Sequence, residues 1–180
     1  PAADLTMECF DALLVDAWTA TATATDACDG VTVVVPTYVA PATNCNETVT
    51  VTFTSTDACG NVTMETKDFI VNDVTGPVVT VPAADLTMEC FDALLVDAWA
   101  LTASATDACD GVTVVVPTYV APATNCSETV TVTFTSTDAC GNATIETKDF
   151  MVNDVTAPVI AGALDLTVVE GCGVADAPAA

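Results

Sequence analysis

Histidine is absent, and only two basic residues, Lys67 and Lys148, stand against 25 acidic ones, for a formal net charge of −23. Phosphate backbones and anionic membrane surfaces are recognised through Lys and Arg, so this balance excludes nucleic-acid binding. Without histidine or a lysine pair, general-base chemistry near neutral pH would need a carboxylate with a strongly raised pKa. No nucleophile motif or phosphate-cradling glycine loop is present, and the chain reads as a non-enzyme. It also lacks the roughly 18 uninterrupted apolar residues of a membrane span, so no membrane insertion is expected. No basic, apolar leader opens the chain, as expected of a mature protein or a fragment.

What is present is repetition. Residues 1–76 return as residues 82–157 at an offset of 81, differing only at positions 19, 20, 23, 46, 62, 64, 70 and 76 of the first copy. A period near 80 residues exceeds a solenoid unit and suits a small domain with its own core. The expected division is residues 1–76, residues 77–157, and 158–180 as the start of a third repeat or a donor segment. The acids follow the same period, with eleven in 1–81 and eleven in 82–162. Neighbouring copies should repel unless protons, salt or a divalent cation offset the charge.

Within each copy, apolar residues alternate with threonine, as sheet faces do. Strands are expected at Asp4–Glu8, Thr21–Thr25, Val31–Val35, Thr48–Ser55 and Val62–Val71. In the fourth, Val49, Val51 and Phe53 point inward and Thr48, Thr50, Thr52 and Thr54 outward. A change of inward parity in the last strand predicts a bulge near Thr66–Asp68. Phe10, Leu13, Leu14, Ala17 and Trp18 recur at helical spacing, with Asp11 at the favoured end of the dipole, so a short helix is expected with Trp18 plugging the core. Short strands with turn signals at this spacing point to an all-β fold of tandem immunoglobulin-like β-sandwich domains, each with one helix and two disulfides.

Nine cysteines fall at 9, 28, 45 and 59, then at 90, 109, 126 and 140, with Cys172 left over. Pairs at zinc-ligand spacing are missing, so this is disulfide arithmetic in an oxidising compartment, and an extracellular or cell-surface location is expected. Four cysteines permit three pairings. An up-and-down reading places Cys9 and Cys45 at one end and Cys28 and Cys59 at the other. It favours Cys9–Cys45 and Cys28–Cys59, and by repetition Cys90–Cys126 and Cys109–Cys140, with Cys172 unpaired or intermolecular.

The ordered set Asp4-Leu5-Thr6-Met7-Glu8-Cys9, the Ala12–Trp18 helix, Ala24-Thr25-Asp26-Ala27-Cys28, Cys45 before Thr48–Thr54, Thr56-Asp57-Ala58-Cys59-Gly60-Asn61, and Asn72-Asp73 with Pro77 resembles the hyalin-repeat-like (HYR) domains. The likeness covers both copies and the start of the third. It implies an immunoglobulin-like fold arrayed in large bacterial surface or secreted proteins, a role in adhesion or spacing, and no catalytic residues.

Three further expectations concern sites and partners. Asn72 and Asp73 should meet Asp107, Asp110 and Asp138 where one repeat ends and the next begins, an oxygen-rich junction suited to Ca2+. Sequons at Asn46, Asn61, Asn125 and Asn142 are candidate glycosylation sites. Pro158-Val159-Ile160 duplicates the start of the strand at Gly76–Val81, whose counterpart the first copy lacks. That spare strand either supplies the missing edge of another copy, building a head-to-tail homopolymer, or continues into a longer array. The expected function is a structural unit of an extracellular filament or adhesin stalk, the alternative a module binding surface glycans or ice.

Overall fold

The computed structural model describes residues 3–160; Cys172 and most of the 158–180 segment lie outside them. The fold is mostly β, with one short helix in each copy. The first copy comprises β1 (Leu5–Met7), α1 (Ala12–Thr19), β2 (Ala24–Asp26), β3 (Gly30–Thr32), β4 (Val34–Thr37), β5 (Glu47–Thr56) and β6 (Val62–Val71). The second opens with an additional strand, β7 (Val78–Thr80). It continues with β8 (Leu86–Met88), α2 (Ala93–Ala100), β9 (Ser104–Asp107), β10 (Gly111–Thr113), β11 (Val115–Thr118), β12 (Glu128–Thr137) and β13 (Ala143–Val152).

Each copy has a four-stranded sheet, ordered β1-β6-β5-β4 in the first and β8-β13-β12-β11 in the second, with the short opening strand parallel to the last one. The alternation of β5 is realised. Val49, Val51 and Phe53 are buried, and they join Met7, Val15, Phe69 and Val71 in one apolar cluster. A corresponding cluster around Val96, Val132, Phe134 and Phe150 fills the second copy.

The expected bulge does not form. Pairing of β5 with β6 runs unbroken from Glu47↔Val71 to Thr56↔Val62. Val62 and Met64 therefore lie on the outer face and are exposed. The 31–35 run also divides: β3 pairs with β2, whereas β4 joins the large sheet beside β5. Ser55 holds the crossing, its Oγ donating to the Val33 carbonyl at 2.9 Å and accepting from Thr32 Oγ1 at 2.7 Å.

The expected apolar face is buried only in part: Phe10 and Trp18 pack against the core, whereas Leu13, Leu14 and Ala17 are exposed. Asp11 caps it, with Oδ1 accepting from Leu13 N and Leu14 N. The inward residues are Val15, Trp18 and Thr19, while Leu13 is 79% exposed. Trp18 sits edge-on to Phe53 and Phe69 and donates from Nε1 to the Ala3 carbonyl, as a core residue should.

One difference between the copies is topological. In the second, β7 adds to β9 through Val78↔Thr106, Val79↔Ala105 and Thr80↔Ser104, making a three-stranded sheet that packs over β12 and β13. In the first, β2 and β3 stand as a two-stranded sheet. Where a counterpart of β7 would lie, there is a groove of about 740 Å³ along Thr21–Asp26, floored by Phe53, Ser55 and Thr63.

Candidate functional site: the joint between repeats

The informative chemistry gathers where the first copy meets the second, and it begins with the motif Thr-Asp-Ala-Cys. In Asp26-Ala27-Cys28 and Asp57-Ala58-Cys59, the Asp Oδ1 accepts the N–H of the cysteine two residues on, at 2.7 and 2.9 Å. This is an Asx turn, a short polar side chain standing in for backbone. Asp29 ties the two turns together by accepting from Ala58 N. The same bonds recur at Cys109, Cys140 and Asp110 in the second copy. Each copy thus presents two sulfurs side by side at one end.

The other two cysteines are placed by different means. Cys9 follows β1. Cys45 lies in a loop held by Glu47, whose carboxylate accepts from the backbone of Ala42 and Thr43. Asn44 joins loop to sheet, its Oδ1 accepting from Phe10 N and its carbonyl from Asp73 N. Cys9 and Cys45 therefore occupy the opposite end of the copy from Cys28 and Cys59.

Both disulfides among the described residues cross the joint. Cys9 bonds Cys109 and Cys45 bonds Cys140, each with a Cα–Cα distance of 5.0 Å. This corrects the expected Cys9–Cys45, Cys28–Cys59, Cys90–Cys126 and Cys109–Cys140. The assignment of cysteines to ends was sound; the inference that partners belong to the same copy was not. Stacking brings the upper pair of one repeat, Cys9 and Cys45 in the first, against the lower pair of the next, Cys109 and Cys140 in the second. Cys28, Cys59, Cys90 and Cys126 remain as exposed thiols.

Beside the sulfurs lies part of the expected cation site. Asp73 is only 4% exposed, and its Oδ2 is buried without a hydrogen-bond partner. Desolvation raises its pKa above the ordinary carboxylate value, with Asp107, Asp138 and Glu8 adding like-charge repulsion against the opposing pull of the Thr75 N–H. Asp107 and Asp138 are also buried. Burial is the largest single influence on Asp138 and acts upward. Donors from Asn142, Cys140 and Gly141 together outweigh it and carry the pKa below the usual value.

A carboxylate oxygen from each of Asp73 and Asp107 and the Cys109 sulfur lie within 4.8 Å of one another. Since that sulfur is in a disulfide, the donors left are oxygens. Asp110 is engaged in tying the two turns, and Asn72 binds the Met7 carbonyl through its backbone N–H.

The remaining candidates have plain structural roles. Asn142 Nδ2 donates to Asp138 Oδ2 and, across the joint, to the Asp73 carbonyl, so both its amide hydrogens are committed. Asn61 Nδ2 donates to Asp57 Oδ2, Asn125 Oδ1 accepts from Phe91 N, and Asn46 is exposed with φ at 54°. In the threonine row, Thr50 Oγ1 donates to Asp68 at 2.7 Å, which breaks a uniform hydroxyl surface with a carboxylate. The two lysines clamp the opening strands, Lys67 to Asp4 and Lys148 to Asp85. Among the described residues, no helix is long and apolar enough to cross a membrane.

Comparison with known proteins found no matching family model and no matching curated sequence.

What sequence reasoning missed was that the joint is bridged by disulfides. The signal was the doubled Thr-Asp-Ala-Cys motif, which puts two cysteines at one end of every copy. It was visible, but its partners, Cys9 and Cys45, lie in the preceding copy.

Proposed function

We propose that this chain is a structural segment of an extracellular filament or adhesin stalk, built from immunoglobulin-like β-sandwich repeats of hyalin-repeat type. The observation that carries this reading is that both disulfides among the described residues run between repeats. A disulfide inside a module stabilises that module. One between modules fixes their relative placement and transmits tension past the linker, and two bonds at separate points resist rotation as well as extension. Near-identical units favour a scaffold of uniform pitch, and disulfides suit an oxidising, extracellular setting.

The acid cluster of the joint belongs to the same proposal. Asp73, whose Oδ2 is buried and unpartnered, brings a carboxylate oxygen within 4.8 Å of one from Asp107, an oxygen pair suited to a hard cation such as Ca2+. Neutralising these carboxylates would relieve their repulsion where the repeats touch. Calcium titration is the check: the melting temperature rises in the parent and not in Asp73→Asn. An equal response in both would remove the cation from the account.

Small-angle scattering tests the main proposal. The oxidised chain should keep a single extended pair distance between repeats, and reduction should broaden it. Two repeats that reorient freely with both bonds intact would overturn the scaffold reading.

A further inference from the structure

The joint within the chain uses the upper end of the first repeat and the lower end of the second, leaving the lower end of the first and the upper end of the second unengaged. Those ends carry the four exposed thiols. At the offset of 81, Cys90 stands where Cys9 stands, Cys126 where Cys45 stands, Cys28 where Cys109 stands and Cys59 where Cys140 stands. We propose that a second copy of this chain docks head to tail through these ends, forming Cys90–Cys28 and Cys126–Cys59 bonds between copies, while residues 157–160 enter the groove of the next copy as its missing strand. The proposal rests on the filament reading and adds the covalent chemistry of its joints.

Three independent features match the internal joint. The backbone turns that carry two of the unbonded cysteines match those of the bonded ones: Cys28 N and Cys59 N are held by Asp26 and Asp57 at 2.7 and 2.9 Å, against 2.8 and 2.9 Å for Cys109 and Cys140. The exit from the second repeat also copies the exit from the first. Asn72 N, Asp73 N and Thr75 Oγ1 donate to the Met7 carbonyl, the Asn44 carbonyl and Glu8; Asn153 N, Asp154 N and Thr156 Oγ1 donate to Met88, Asn125 and Glu89 in the same way. The strap is therefore launched along the path that β7 takes.

Finally, groove and strap are complementary. Pro77 is fully buried and Val79 packs against the core of the second repeat, whereas Val159 and Ile160 are 88% and 86% exposed. In register, Ile160 takes the place of Val79 over Ala24. The strap has Ala157 where β7 is preceded by Gly76. A Cβ at Gly76 would lie 2.9 Å from Thr144 Oγ1, so Ala157 requires the matching hydroxyl, on Thr63, to rotate aside.

Because the two faces differ, the contact is heterologous and does not close into a pair. Each bond forms by two exchanges. The Cys90 thiolate attacks a small-molecule disulfide such as oxidised glutathione, releasing one glutathione thiolate. The Cys28 thiolate of the next copy then attacks the mixed disulfide at the Cys90 sulfur and releases the second. Two protein thiols lose two protons and two electrons, and the oxidant leaves as two thiols.

The test uses the whole chain in a Cys172→Ser background with oxidised glutathione as the oxidant. The parent should give a ladder on denaturing gels without reductant. Cys28→Ser/Cys59→Ser and Cys90→Ser/Cys126→Ser should each remain single chains, and a mixture of the two should stop at dimers containing one of each. Because the mutated thiols are exposed, folding is verified by retention of Cys9–Cys109 and Cys45–Cys140. Ile160→Asp should slow the ladder about tenfold, with outward Val159→Asp near the parent rate.

A ladder from either double variant alone, or peptides joining Cys28 to Cys28 or Cys90 to Cys90, would overturn the proposal. Filaments in the electron microscope that fall to single chains in detergent with all four thiols reactive would overturn the covalent joint while leaving the filament reading. Disordered particles with the internal bonds intact would overturn both.

Discussion

Cys9 and Cys109 should behave as one unit in stability, although they lie in different repeats. Their bond spans 100 residues of chain and Cys45–Cys140 spans 95. With the latter in place, the circuit closed by Cys9–Cys109 runs from 9 to 45 and from 140 to 109, about 67 residues in all, which by chain entropy is worth roughly 4 kcal/mol. For a chain of this size that loss lowers the melting temperature by about 10–15 °C. Cys9→Ser, Cys109→Ser and the double variant should all show this same drop, since each removes one and the same bond. Cys9→Ser/Cys45→Ser should lose about twice as much. Cys28→Ser, an exposed thiol, should stay within about 0.5 kcal/mol of the parent. Thermal unfolding under oxidising conditions reads all five. Additive losses for Cys9 and Cys109, or a drop for Cys28→Ser matching that for Cys9→Ser, would refute the reasoning and restore bonds within each repeat.

Acidity should act on stability in two directions. Asp73 has a raised pKa, so its contribution is favourable while it is protonated and is lost as pH climbs from the ordinary carboxylate value through the raised one; Asp73→Asn should flatten that decline in pH-dependent melting. Asp57, Asp85 and Asp138 have lowered values, so their contribution is full above the ordinary carboxylate value and is lost as pH falls through the lowered ones. Ser136→Ala should cost about 1–2 kcal/mol in denaturant unfolding, because its buried Oγ serves the Val114 carbonyl, and the better-hydrated Ser55→Ala should cost less. On the helix, Val96→Ala should cost about 2 kcal/mol and Leu94→Ala almost nothing; the reverse order would mean that the leucine face is the packed one.

Much of each repeat was legible because its causes are local. Strict alternation fixed β5 and its inward Val49, Val51 and Phe53, and glycine-asparagine at the turn fixed the start of β6. Parity was misread where an exposed Val62 and Met64 looked like core, since hydrophobicity alone does not say which face is covered. The helix was misread likewise: Leu13 and Leu14 are more apolar than Thr19, yet the docking angle turns Val15 and Thr19 inward. The split of 31–35 depends on Ser55, a residue more than twenty positions away. The pairing of the sulfurs was beyond reach from a single repeat, because proximity at the joint is created only by stacking two of them. Asp73 was foreseen at that joint; that it would be buried with an orphaned oxygen depends on the same stacking.

The most direct test of covalently braced joints uses the scarcity of lysine. With Lys67 and Lys148 as the only basic residues, trypsin cuts the denatured chain at two places. Without reductant, the fragment ending at Lys67 and the fragment 68–148 should travel together and separate only on reduction, with Cys9–Cys109 and Cys45–Cys140 peptides recovered. Two fragments that separate before any reductant is added would contradict the account.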